Sequence, residues 1–279
     1  QGTMTIAGAN ADTPFILNDT AVTLTGNGTL ELEPGDNGLR SRITSNNVAY
    51  VLTNDTGHTI RGAGYVGINN LGLINKGSII ADNSTYPLQI YPSGSKLNNQ
   101  GTLRATNGAT LIVGNTNFTN LSGTTLTGGT YEVFANSTIK LPSATGIVTN
   151  ASTILLDGVN SNIGRISDSL DALTPYFATN AAAGHFTIQN GRNFGTAGNF
   201  SNAGIVTIGN SSTFPVNGIP TNSGELQRRG GTFAATTGLS NSGNVNGFGT
   251  IQPSIANTGS VIADGGTLTA NQILGTTGT

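Results

Sequence analysis

Apolar side chains in this chain alternate with Thr, Ser and Asn over short runs, and each run stops at Gly or Asn instead of passing into a 3.6-residue period. Leu103 and Ala105, or Val206 and Ile208, show the pattern. Alternation of this kind puts apolar groups on one face of a pleated strand and polar groups on the other. The pattern therefore predicts many short, half-buried strands.

The strands recur in phrases. "LINKGSIIA" (73–81), "LNNQGTLRA" (97–105), "FSNAGIVTI" (200–208), "LSNSGNVNG" (239–247) and "IANTGSVIA" (255–263) share one template: an apolar residue, Asn two further on, Gly two after that, then apolar positions two and four beyond. "IPTNSGELQR" (219–228) keeps Asn222 and Gly224 with Pro220 at the first apolar place, and "FTNLSGTTL" (118–126) inserts one residue between Asn120 and Gly123. The corner residues are thus Asn75 and Gly77, Asn99 and Gly101, Asn120 and Gly123, Asn202 and Gly204, Asn222 and Gly224, Asn241 and Gly243, and Asn257 and Gly259. Within each group one asparagine follows another at an interval of about 20 residues, close to one solenoid turn. Between them lie second phrases such as "NGATLIV" (107–113), "GNSSTFPV" (209–216), "GGTFAA" (230–235) and "DGGTLTA" (264–270). Each step encodes two or three strands.

The expected fold is all-β: a right-handed parallel β-helix, or β-solenoid, with coils of about 20 residues stacked ~4.8 Å apart. Asn and Gly adopt left-handed backbone conformations cheaply, which suits Asn-x-Gly to the corners. Stacked corners would let each Asn amide bond to that of the next coil. Tandem immunoglobulin-like sandwiches should repeat near ~100 residues around a buried aromatic anchor, and an antiparallel barrel should favour tight hairpins. One solenoid is expected over 1–279, with a first coil group at 1–159, an irregular excursion at 160–190 and a second group at 191–279. Within the excursion, "SDSLDAL" predicts a short helix near 166–176, capped by Ser167 or Asp168, carrying Leu170 and Leu173, and stopped by Pro175. Packing over a coil face, or a binding role, would account for it.

Composition narrows the function. The 279 residues include 41 Gly and no Cys or Trp, are 9% charged, and carry a net charge of −2, so no basic stripe can track nucleic acid or an anionic membrane. Arg228 and Arg229, the densest basic pair, read as a solvated strand face. No apolar run approaches the ~18 residues a membrane span needs. Neither nucleic-acid binding nor membrane insertion is expected.

Candidate chemistry is sparse. Asp168 with Asp171, and Glu31 with Glu33, are the carboxylate pairs that could share a face, and neither spacing is distinctive. His58 and His185 are the two histidines, read as polar turn residues, and the chain lacks zinc-type ligand spacing. "EPGDNG" (33–38) could hold calcium weakly through Glu33 and Asp36. Asn18, Asn54, Asn83, Asn136 and Asn150 begin Asn-x-Ser/Thr triplets that composition alone would generate. No catalytic residue, metal or cofactor is expected.

The stretches 54–82, 199–216 and 239–270 resemble the bacterial secreted β-helical repeat proteins: autotransporter passengers, filamentous-haemagglutinin-like adhesins and related large surface repeat proteins. That resemblance implies an exported protein at the cell surface or outside the cell, adhesive or structural, with surface glycans as candidate partners. It transfers no catalytic residue, because the shared motifs build coils. The chain starts at Gln1 inside a pattern, which suggests a trimmed portion of a longer precursor, and neither end reads as a polar cap. Self-association end to end, or further coils of the same precursor, would cover such ends, and a head-to-tail contact would propagate a filament. The alternative is a carbohydrate-active β-helix, a polysaccharide lyase or glycosidase, which should gather carboxylates along one groove. Ice binding would need threonine rows at one phase of every coil, and the "TLT" pairs do not supply them.

Overall fold

The computed structural model describes residues 2–168, 171–174 and 176–275. The paired strands run parallel, each meeting its counterpart one coil away, and the described residues fall into two compact units drawn from 1–122, 128–144 and 162–170, and from 123–127, 145–161 and 171–279. No helix among them is long and apolar enough to cross a membrane.

The first unit has three sides. One sheet stacks Thr3–Ala7, Thr29–Glu33, Thr59–Gly62, Ser78–Ala81, Thr102–Ala105 and residues 130–133. A second stacks Thr13–Leu17, Ser41–Ser45, Gly64–Val66, Leu88–Ile90, Thr110–Val113, Thr138–Leu141 and Asn162–Arg165. The third holds Ala21–Leu24, Val51–Asn54, Gly72–Asn75 and Leu97–Asn99. Alternation places like residues above one another: Leu30, Ile60, Ile79, Leu103 and Tyr131 form one buried column. Each such aliphatic side chain contributes roughly 1.5–3 kcal/mol by leaving water.

Most coils here are longer than the sequence repeat predicts. The register of the first sheet passes from Thr3 to Thr29, Thr59, Ser78, Thr102 and Thr130, so the coil that begins at Thr29 is the longest and the one that begins at Thr59 the shortest. The extra residues form turns between three separate strands, and turn residues vary in number without disturbing the register of the sides.

In the second unit the register passes from His185 to Ile205, Glu225, Asn244 and Ser260, with coils near the predicted length that shorten toward the last. They are compact because two sides merge: Glu225–Ala235 is one strand bent at Gly230 and Gly231, where its register with the neighbouring strands shifts. Phenylalanines fill the interior. Phe177, Phe186, Phe194, Phe200, Phe214 and Phe233 are all buried, with linked ring centroids 4.8–6.1 Å apart.

The expected helix near 166–176 is not present among the described residues; Leu170 and Pro175 lie outside them. Residues 166–168 form a turn in which Asp168 pairs with Arg165, one bond being 3.1 Å from Nε. Asp171, not Ser167 or Asp168, caps the next turn: its Oδ1 accepts the Leu173 and Thr174 amides at 2.8 and 2.9 Å. That lone turn places Phe177 against Phe186 and Phe200, so packing explains this part of the excursion.

Candidate functional site

The feature that recurs at one phase of successive coils is a buried column of asparagine amides. In the first unit Asn54 Nδ2 donates to Asn75 Oδ1, and Asn75 Nδ2 to Asn99 Oδ1, each at 2.8 Å. In the second, Asn150, Asn180, Asn202, Asn222, Asn241 and Asn257 are joined in the same direction at 2.9, 2.8, 2.7, 2.7 and 2.6 Å. The second amide hydrogen is also used: Asn202 Nδ2 reaches Glu225 O at 2.9 Å and Asn222 Nδ2 reaches Asn244 O at 3.0 Å. Each ladder amide before the last of its run, Asn99 or Asn257, thus ties side chain to side chain and side chain to the next coil's backbone, with dipoles aligned so that neighbouring bonds strengthen one another.

Ladder ends are filled by other chemistry. Leu24 occupies the ladder phase before Asn54, so no amide donates to Asn54 Oδ1 from that side; His58 Nδ1 stands 2.8 Å from it. An amide oxygen only accepts, which assigns the proton to Nδ1. His58 closes the turn after Asn54, its backbone amide donating to Asp55 O; it is buried, and burial lowers its pKa from the ordinary value. In the second unit Ser152 does the same work for Asn150 Oδ1, through its amide at 3.0 Å and its hydroxyl at 2.7 Å. At the far end Gly275 follows Ile273 and Leu274 in the phase of Asn257, whose Nδ2 turns to Gly259 O at 3.0 Å.

The one-residue insertion at Asn120 has a visible consequence. Asn120 Oδ1 accepts from the backbone amide of Asn99 and its Nδ2 donates to Asn99 O, both at 2.8 Å. Among the described residues Asn99 Nδ2 makes no well-formed hydrogen bond, and the buried Tyr131 hydroxyl is the polar group that its side chain meets.

The corner glycines have a different reason from the one expected. Gly77, Gly101, Gly204, Gly224, Gly243 and Gly259 are not left-handed. A Cβ at Gly101, Gly204, Gly224, Gly243 or Gly259 would stand 2.0–2.2 Å from the carbonyl oxygen of the corner glycine one coil earlier, and at Gly77 2.2 Å from His58 O. Close backbone stacking, not φ, requires glycine there. Gly123 is the exception, at φ 58° with open space around it. The left-handed corner lies in the second phrase, at Asn107, Asn136, Asn160, Asn190 and Ser211.

Asn54, Asn150 and Asn180 are ladder members that the sequence template missed. In none of them is Gly two residues on; Asn180 uses Gly184, whose carbonyl accepts from its Nδ2 at 3.0 Å. Asn54 and Asn150 are fully buried, so their Asn-x-Ser/Thr triplets are shut away in the folded chain, whereas Asn18 and Asn136 are exposed.

The other candidates do not converge. Glu31 faces Arg61 at 3.9 Å, Asp171 Oδ2 lies 4.0 Å from Arg192, and Asp36, held below the usual carboxylate range by Arg40, meets Arg40 Nε at 2.9 Å. Among the described residues no three or more His, Asp or Glu gather as metal ligands. A threonine row does exist at one phase, Thr3, Thr29, Thr59, Ser78, Thr102 and Thr130. Two residues along, it is flanked by Glu31, Arg61, Arg104 and Glu132, which form salt bridges instead of a second such row. Arg228 is fully buried, contrary to its reading as part of a solvated face; its neighbour Arg229 is exposed.

These observations define a class: a parallel β-solenoid-like repeat structure held by stacked sheets and an asparagine ladder. Comparison of the chain with protein families, characterised proteins and solved structures gave no match.

Proposed function

We propose that the chain is an extracellular structural or adhesive scaffold, made of right-handed coils, whose copies join end to end into filaments or continue as further coils of one precursor. The observation that carries this reading is the ladder unbroken from Asn150 to Asn257: buried polar bonding is invested in keeping coils in phase. The right-handed sense follows the general rule for parallel strand crossovers. Two strand edges supply the joining surface. Thr3–Ala7 pairs with Thr29–Glu33, with Met4 53% exposed, and the edge at Ser260–Ala270 carries Ile262, 52% exposed. Unpaired backbone beside apolar side chains is what another coil would cover.

Electron microscopy combined with sedimentation over a range of concentrations tests the proposal. Rods that lengthen with concentration, and that Ile262→Lys shortens, are the expected result. Particles of one length at every concentration, unchanged by Ile262→Lys, would remove the filament from the proposal.

A further inference from the structure

We infer that the cavity walled by Arg228 is a binding site for an oxyanion, a carboxylate or sulfate group of the kind acidic sugars carry. The inference is independent of filament formation. Arg228 lies in the strand Glu225–Ala235 at an inward position, in register with Ile208 and Gly247, and has no exposure to bulk water. Of its donors, Nη2 reaches Asn246 O at 3.3 Å, while Nε and Nη1 have no partner. Among the described residues no carboxylate oxygen comes within ion-pair distance of it. A buried guanidinium with two idle donor groups is costly unless something pairs with it, and burial lowers its pKa to about 10, which leaves it protonated at neutral pH.

The space beside it supplies the opening. A cavity of about 240 Å³ is lined by Arg228, Arg229, Gln227, Asn246, Phe248 and Asp264, among others. Gly247, also in the wall, brings no side chain into it. A fork of guanidinium N–H groups matches the two oxygens of a carboxylate or sulfate; the side-chain amides of Gln227 and Asn246 each give one hydrogen to Glu225 Oε1, at 2.9 and 2.6 Å, and keep a second for a further oxygen. Phe248, 36% exposed and lying against Gly265 and Gly266, offers apolar surface to a carbon skeleton. Because the guanidinium has no surface open even to water, the group that meets it must be small and must displace side chains of the cavity wall to reach it. Asp264 is a competitor, since a rotated carboxylate there could pair with Arg228 instead, and Glu225, held by the Gln227 and Asn246 amides, is a second carboxylate that an anion must displace or tolerate.

Thermal unfolding and calorimetric titration of the full chain test the site, using sodium sulfate, sodium glucuronate and glucose, with sodium chloride at matched ionic strength. Sulfate also stabilises proteins by exclusion from their surface, so saturation and dependence on Arg228 are the deciding criteria. Saturable binding of sulfate and glucuronate, none of glucose, at least ten-fold weakening in Arg228→Gln and no more than three-fold in Arg229→Gln are expected. Tighter binding of glucuronate than of sulfate, lost in Phe248→Ala, identifies the anion as sugar-borne; equal binding identifies a free inorganic anion. Asp264→Asn is expected to bind at least as tightly as the parent. Destabilisation of unliganded Asp264→Asn with no gain in binding, or absence of saturable binding in the parent chain, would overturn the inference, and the parent-chain result decides even if Arg228→Gln fails to fold.

Discussion

The two units stack the same kind of coil with different regularity. Beyond His185, short coils of similar length accompany an unbroken side-chain ladder and a column of phenylalanines. In the first unit one coil extends from Thr29 all the way to Thr59, and the ladder changes at Asn120 from amide–amide to amide–backbone bonding. Long turns do not break the ladder: Asn150 and Asn180 remain bonded at 2.9 Å although 30 residues apart in the chain. What breaks it is an extra residue inside the corner, between Asn120 and Gly123. Coil length is thus free to vary where the chain turns away from the ladder, and fixed where Asn and Gly stack.

The largest expected effect sits at the glycines. Gly224→Ala drives a Cβ to 2.2 Å from Gly204 O, where backbone on both sides must shift, and should cost about 3 kcal/mol. Gly123→Ala meets no neighbour and bears only the strain of its φ of 58°, about 1 kcal/mol. Equal losses in urea unfolding would refute the close-stacking explanation.

Next come the amides. Asn222→Ala removes the donor to Asn241 and the acceptor of Asn202 from the interior of the unbroken ladder, an expected loss of about 2–3 kcal/mol. Asn120→Ala, where the ladder has already passed to the backbone, should lose about 1–2 kcal/mol. A loss at Asn120 as large as that at Asn222 would show that amide-to-amide continuity adds nothing.

The smallest effect concerns the histidine at the ladder's start. With its folded pKa below the unfolded value of about 6.5, His58 binds its proton more weakly in the native chain. Its contribution is complete above that value and lost as pH falls through the folded pKa. Stability measured from pH 8 to pH 5 should therefore decline less in His58→Gln, which keeps an N–H donor without titrating there, than in the parent. Parallel profiles would contradict the assignment.

Much of this was legible in the sequence because the ladder depends on a short spacing. Asn75, Asn99, Asn202, Asn222, Asn241 and Asn257 each stand two residues before a glycine, and all are in the ladder. Asn54, Asn150 and Asn180 were hidden because their local partners are His58, Ser152 and Gly184, residues with no fixed offset. Long coils were hidden because turn residues carry no period. Arg228 and Arg229 look alike in the chain; only the pleat, which turns one inward and the next outward, separates them.

Exchange of asparagine side-chain amide hydrogens, followed by NMR in deuterated buffer, addresses the ladder most directly. Nδ2 hydrogens of Asn180, Asn202, Asn222 and Asn241 should exchange as slowly as the surrounding strand amides, while those of exposed Asn18 exchange at once. Exchange of the first group at the rate of the second would mean that the coils are not held by stacked amides.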